Sequence, residues 1–273
     1  MTDDTTPSTD ESAIADDSGR TIELEVTVPG TPDEVWRAIA TGPGISSWYV
    51  PHTVEEREGG SIEFTFGPGM DASGRVAVWD PPRRVVFDGG DITGLAFEWL
   101  VEAQDSGSCV VRLVNSGFGS GDEWDDQYDA MRDGWQIFLT NLRLHLEHFA
   151  GRTATASLPM ATWEGTEGGC WDRLLADLGL PSSLEEGDRI GTVGDAPRLS
   201  GTVARVGVHE VALVVDEPAA GTAFFAAESV GGSVSVSVWS YLYGDDGAAA
   251  VARDQPAWAE WLGSRGTGES RGS

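Results

Sequence analysis

Residues 124–149 read WDDQYDAMRDGWQIFLTNLRLHLEHF. Within them Trp124, Tyr128, Met131, Trp135, Phe138, Leu139, Leu142, Leu146 and Phe149 recur at steps of three and four. That spacing puts all of them on one side of a helix about seven turns long, ending before Gly151. Asp122, Asp125 and Asp126 gather near its start, where the helix dipole favours negative charge. A helix with so broad an apolar stripe needs a sheet to lie on, and the residues before it supply one.

Upstream, the period drops to two. Ile22, Leu24, Val26 and Val28 alternate as in a half-buried strand, which Pro29-Gly30 ends. Thr31-Pro32-Asp33-Glu34 then supplies an N-cap, a proline at the first helical position and a Glu three residues after the cap. The helix it starts buries Val35, Trp36 and Ile39 and stops near Gly42-Pro43-Gly44. A loop through Trp48, Tyr49 and His52 leads to strands expected at 62–66, 75–79, 84–87, 95–101 and 109–114. Turn residues separate them, among them Asp80-Pro81-Pro82 and Asp105-Ser106-Gly107, so an antiparallel meander is expected.

From about residue 153 the same order returns in weaker form. Cys170-Trp171-Asp172-Arg173-Leu174-Leu175 matches the first helix, with Gly179 standing where Gly42 stood. Strand candidates follow at 189–193, 199–206, 211–215, 223–228 and 234–243. Trp258, Trp261 and Leu262 then echo Trp135, Phe138 and Leu139. A degenerate second copy is expected, without a clear first strand and with a last helix about half as long. The alternative is a chance run of strands and a helix. The division expected is an acidic disordered tail at 1–19, a first domain at 20–151, a second at 152–263 and a flexible tail at 264–273.

The chain has 273 residues and a formal charge of −28, and all 17 of its basic residues are Arg. The absence of Lys excludes Schiff-base and phosphate-loop chemistry of the lysine type. Nucleic acid and anionic membranes are excluded as partners by the charge. No apolar run approaches the roughly 20 residues of a membrane helix, and the polar N-terminus does not read as a signal peptide. A cytoplasmic protein is expected.

Four passages carry a family resemblance. They are 31–36 (TPDEVW), 59–64 (GGSIEF), 80–87 (DPPRRVVF) and 133–142 (DGWQIFLTNL). With them, the stretch 22–149 resembles the SRPBCC superfamily, also called START-like or helix-grip. Within it, the stretch is similar to homologues of the C-terminal domain of the heat-shock-protein-90 ATPase activator. The resemblance implies an α+β helix-grip fold: a curved antiparallel sheet wrapped around a long C-terminal helix, with a hydrophobic cavity between them. It implies a hydrophobic small molecule or a protein as partner. It leaves three functions open: non-catalytic binding, polyketide cyclase or aromatase chemistry, and co-chaperone action on a heat-shock-90-type ATPase. The co-chaperones' N-terminal module has no counterpart here, and a binding protein rather than an enzyme is the principal expectation.

Trp48, Phe64, Phe66, Phe87, Phe97, Trp99, Trp124, Tyr128, Met131 and Trp135 are the candidate cavity wall. The same side chains could instead close-pack as core. For a cyclase, Tyr128, His52 and Arg84 are the polar candidates. Arg84, Arg112 and Asn115 are otherwise expected to point outward. His145 and His148 stand three apart on the long helix, yet no third ligand joins them, so a solvated pair is expected. Asp122-Glu123-Asp125-Asp126 lacks a calcium-loop spacing. Gly268-Glu269-Ser270-Arg271-Gly272 fits a nucleophile-elbow pattern without the strand and helix that such an elbow needs. Cys109 and Cys170 read as small structural residues. No cofactor or metal motif is present.

Overall fold

The structure is a computed structural model that describes residues 20–67, 69–89, 95–105, 107–118, 125–230 and 232–266, without the side chains of 125–127, 129 and 130. The expected tail at 1–19, residues 267–273 and Trp124 lie outside the described residues.

The first unit opens with β1 (Arg20–Pro29), α1 (Pro32–Ala40) and the short α2 (Gly42–Ile45). The Thr31 hydroxyl accepts from the Glu34 N–H at 3.4 Å, and the Glu34 carboxylate accepts from the Thr31 N–H at 2.8 Å. This is the capping box that the sequence announces. Gly42 is needed for a different reason: a Cβ there would come within 2.9 Å of the His52 carbonyl oxygen. The meander follows as β2 (His52–Val54), β3 (Ser61–Thr65), β4 (Asp71–Asp80), β5 (Arg84–Asp88), β6 (Ala96–Gln104) and β7 (Ser108–Phe118), and then α3 (Asp125–His148). The strands pair antiparallel in the order β1-β7-β6-β5-β4-β3-β2.

The second unit consists of β8 (Ala154–Ser157), β9 (Met160–Trp163), α4 (Glu167–Leu178), β10 (Arg189–Gly191), β11 (Ser200–Val206), β12 (Glu210–Glu217), β13 (Gly221–Val230), β14 (Ser233–Tyr243) and α5 (Gly244–Gly266). Its sheet runs β10-β11-β12-β13-β14-β8, with β9 also on β14. Both units therefore set their first strand beside their last and cover the sheet with helices.

Two expectations are corrected here. A first strand does precede α4. Ser157 lies opposite Ser240 and Met160 opposite Ser237, so β8 and β9 hold one register across an interruption at Leu158-Pro159. Proline lacks the N–H that would continue the ladder, which hides the strand from a periodicity reading. Nor is the last helix truncated: α5 has 23 residues against 24 in α3. Its first half buries only Gly247, Ala250 and Val251, and Pro256 lies inside it, so no apolar stripe marks that half. The helix also continues through Gly266, past the expected start of a tail at residue 264. Gly179, matched by sequence to Gly42, instead caps α4 with a left-handed φ of 69°.

The layers explain the burial of α3. Its inner face (Trp135, Phe138, Leu139, Leu142, Leu146) packs with Val85, Trp99, Val111 and Leu113 of the first sheet. Its outer face (Ile137, Leu144), together with Phe149 just beyond it, packs on Ala212, Phe224, Tyr241 and Tyr243 of the second sheet. Along β14, Val234, Val236, Val238 and Leu242 face the other way, toward α4 and α5. The period-2 alternation of the strand thus serves two cores at once.

Candidate functional site

A cavity of about 340 Å³ lies between the first sheet and α3. Three strands present rings to it: Phe64 from β3, Phe87 from β5, and Phe97 and Trp99 from β6, with Ala72 of β4 leaving room between them. Met131 and Trp135 close it from α3, and Trp48 and Tyr49 from the segment after α2. A larger hollow of about 430 Å³ is a shallow groove along β2, β3 and β4, adjoining the cavity at His52, Phe64, Asp71 and Ala72. The deeper, aromatic chamber suits a small molecule better than the groove.

The rings meet mostly edge-on. Trp99 stands 5.6 Å from Trp135 at 78° and 5.6 Å from Trp48 at 81°. Tyr49 is central: it lies 5.0 Å from Trp135, 5.9 Å from Phe66 and 4.4 Å from Phe138. Edge-to-face contacts hold rings rigidly while leaving wedge-shaped space between them.

Polar atoms on this wall fall into two groups. The Trp48 indole N–H donates to the Ala38 carbonyl at 2.8 Å, which anchors that ring. The Trp135 indole N–H is buried with no partner among the described residues. No hydrogen bond engages the Tyr49 hydroxyl among the described residues either, and burial raises its pKa well above the usual phenol value. His52 Nδ1 is 2.7 Å from the Val50 carbonyl oxygen, so Nδ1 carries the proton and Nε2 is left as an acceptor. Its ring stacks on Phe64 at 5.0 Å and 9°. Desolvation lowers the His52 pKa to about 4, and it is neutral at pH 7. The two carboxylates on the lining, Asp71 and Asp88, come from the ends of β4 and β5, and among the described residues no Arg lines the chamber.

Of the ten candidate wall residues, the structure gathers Trp48, Phe64, Phe66, Phe87, Phe97, Trp99, Met131 and Trp135 around the cavity. Tyr128 is elsewhere. Its hydroxyl donates to the Thr21 carbonyl at 3.1 Å and its ring meets Phe118, which ties α3 to β1. Trp124 lies outside the described residues. Tyr49, with the aliphatic residues Ile39, Ile45, Ile62 and Leu95, belongs to the wall although the sequence reading passed over it. Its signal was its place beside Trp48 in a loop joining a helix to a strand.

Arg84 is exposed and Arg112 half-buried, and they pair with Glu98 and with Glu25. Asn115, expected outside, is instead buried within β7, where its side-chain N–H donates to the Ala96 carbonyl at 3.1 Å. His145 is also buried, not solvated, because the second sheet covers the outer face of α3; His148 remains partly exposed. Cys109 and Cys170 are buried free thiols. Among the described residues no His, Cys, Asp and Glu cluster could hold a metal, and no helix is long and apolar enough to cross a membrane.

Residues 29–147 match the family model described as Activator of Hsp90 ATPase homolog 1-like protein. The match takes in α1, the meander and all but the last residue of α3. The Aha1 dimer structure from Colwellia psychrerythraea is 18% identical over 47% of this chain and 97% of its own, with a TM-score of 0.42. DynU16, from the dynemicin biosynthetic locus, is 16% identical over 90% of this chain and 96% of its own, with a TM-score of 0.42. The di-domain ARO/CYC BexL from the BE-7585A biosynthetic pathway is 16% identical over 92% of this chain and all of its own, with a TM-score of 0.43. No curated protein matches the chain.

Proposed function

We propose that the first unit of this activator-homologue-like protein is a polyketide cyclase- or aromatase-like chamber, in which a hydrophobic chain or ring system is bound and held folded. The observation that carries this reading is the company of Tyr49 and His52, 5.4 Å apart ring to ring on one aromatic wall, each with a polar atom that no described residue engages. A binding chamber needs a few such atoms in an apolar setting to orient its guest. The acidic lining and absence of Arg favour an uncharged guest over a carboxylate.

Confinement itself lowers the barrier to ring closure by holding the reacting carbons together. Nε2 of His52 takes a proton from an activated methylene. The new carbon–carbon bond forms as the Tyr49 hydroxyl, 5.4 Å away ring to ring, protonates the attacked carbonyl oxygen.

A second reading, non-catalytic binding of a small hydrophobic molecule, is favoured by the low basicity of His52, which suits an acceptor better than a base. Nile red titration and incubation with a synthetic linear poly-β-ketone separate the two. Under the first reading, His52→Gln and Tyr49→Phe keep Nile red binding and lose at least about tenfold in cyclised product. Equal product with and without protein leaves only the second reading. Absence of any bound molecule by both titration and native mass spectrometry removes both.

A further inference from the structure

The cavity wall segment 45–50 is not held by its own unit alone. Ser47 is fully buried, and three groups of the second unit or its approach reach this turn. The Ala154 N–H donates to the Ser47 hydroxyl at 3.0 Å, and the Tyr243 hydroxyl donates to the Ser47 carbonyl at 3.2 Å. The Asn141 side chain of α3 bridges the third contact. Its N–H donates to the Trp48 carbonyl at 2.8 Å, while its oxygen accepts from the Thr222 hydroxyl of β13 at 2.7 Å. Nδ1 of His145 stands 2.6 Å from the Tyr243 hydroxyl. With the Tyr243 proton directed at Ser47, Nδ1 is the donor to Tyr243. Beside this network the indole of Trp239, from β14, stacks at 5.4 Å on Phe138, which itself meets Tyr49.

Every hydrogen bond in this network is buried. Hydrogen bonds in such surroundings fix geometry more strongly than exposed ones. We infer that the second unit is a brace for the first unit's cavity: Thr222 and Tyr243 are positioning residues that set the backbone of Ser47 and Trp48, and through it the place of the Trp48 and Tyr49 rings. The effect on ligand rests on the cavity being a binding chamber; the effect on the wall segment does not.

The test uses the full chain and two readouts, Nile red affinity and amide hydrogen exchange across 45–50. Thr222→Val, which keeps shape and loses the hydroxyl, is expected to weaken Nile red binding about fivefold and to speed exchange in that segment about tenfold. Tyr243→Phe behaves alike, and Thr222→Ser restores both. Val236→Ala, which truncates the second unit's core on the face away from α3, lowers stability without moving either readout. Folded Thr222→Val and Tyr243→Phe proteins with wild-type affinity and exchange overturn the inference. So does a Val236→Ala protein that reproduces their changes. If the wild type takes up no Nile red, the reading of the chamber falls, and exchange across 45–50 alone decides whether the brace exists.

Discussion

The two units share strand order and helix placement, yet the aromatic cavity lies in the first, while the second core is built of buried residues packed on one another. In the first, both facing surfaces carry large rings: Phe64, Phe87, Phe97 and Trp99 on the sheet meet Trp135 on the helix. Rings on both sides prop the layers apart. In the second, the sheet offers mostly small side chains, Val203, Val211, Leu213, Ala223, Ala227, Val236 and Val238, with rings at Trp163 and Phe225, and the helices bring Trp171, Trp258 and Trp261. Small against large interdigitates, which favours close packing. Even the indole of Trp163 is satisfied there, donating to the Leu262 carbonyl at 3.0 Å, whereas that of Trp135 is not. One architecture thus gives a site or a support according to where bulk is placed.

The most direct way to break this comparison is a matched truncation. Phe225 is 1% exposed in the second core, and Phe225→Ala is expected to cost about 3–5 kcal/mol in guanidinium unfolding. Phe64 borders space already and is only half-buried, so Phe64→Ala should cost about 1 kcal/mol. Equal costs would show that the chamber is packed in solution.

Acid should attack the first unit and the junction before the second core. His145, at the junction, is lowered by desolvation from 6.5 to about 4, and His52 likewise from 6.5 to about 4. Each is neutral when folded, while the unfolded chain takes up the proton from about pH 6.5 downward. Their contribution is therefore whole above pH 6.5 and lost as pH falls toward 4, by about 3 kcal/mol for His145. Denaturation midpoints between pH 7 and 4 should show this slope, and His145→Gln should flatten it.

The second unit has the opposite sensitivity at one place. Burial first, then Glu210, Glu167 and Asp133 nearby, raise Glu228 to about 7. Glu210 is itself paired with Arg205. A raised carboxylic acid contributes fully below its unfolded value of 4.5 and loses that contribution as pH rises through 7. Glu228→Gln is expected to match the wild type at pH 4.5 and to exceed it by about 2 kcal/mol at pH 8. A variant no more stable at pH 8 than at pH 4.5, relative to wild type, removes the claim that this carboxyl is strained.

Local signals were legible where local physics decides. The Thr31 cap, the stripe on α3 and the meander turns all read directly from the residues. Strand ends did not: β7 extends to Phe118 and β4 begins at Asp71 because pairing across the sheet, not composition, sets their length. The buried states of Asn115 and His145 were illegible for a related reason. Each has an ordinary polar side chain whose surroundings come from residues distant in sequence, for His145 from Tyr243, 98 positions away. Eight of the ten wall candidates gather around the chamber, the strand rings because their positions share one face and Met131 and Trp135 because they sit one turn apart on α3. The space between those rings is a packing property that no residue type announces.

That space permits a last, small test. Ala72 and Ala223 both sit within strands and face helix-covered layers, one toward the chamber and one, fully buried, toward the second core. Replacing either with Leu adds the same three carbons. At Ala223 they must displace close-packed neighbours, which costs about 1–3 kcal/mol. At Ala72 they enter existing space, so stability should stay within about 0.5 kcal/mol of wild type while Nile red affinity drops. If Ala72→Leu is as damaging as Ala223→Leu, the rings have no room between them and the contrast between the units disappears. If it is neutral and binding falls, the difference lies where the aromatic rings place it, in volume left open on one side of α3 and closed on the other side of the second sheet.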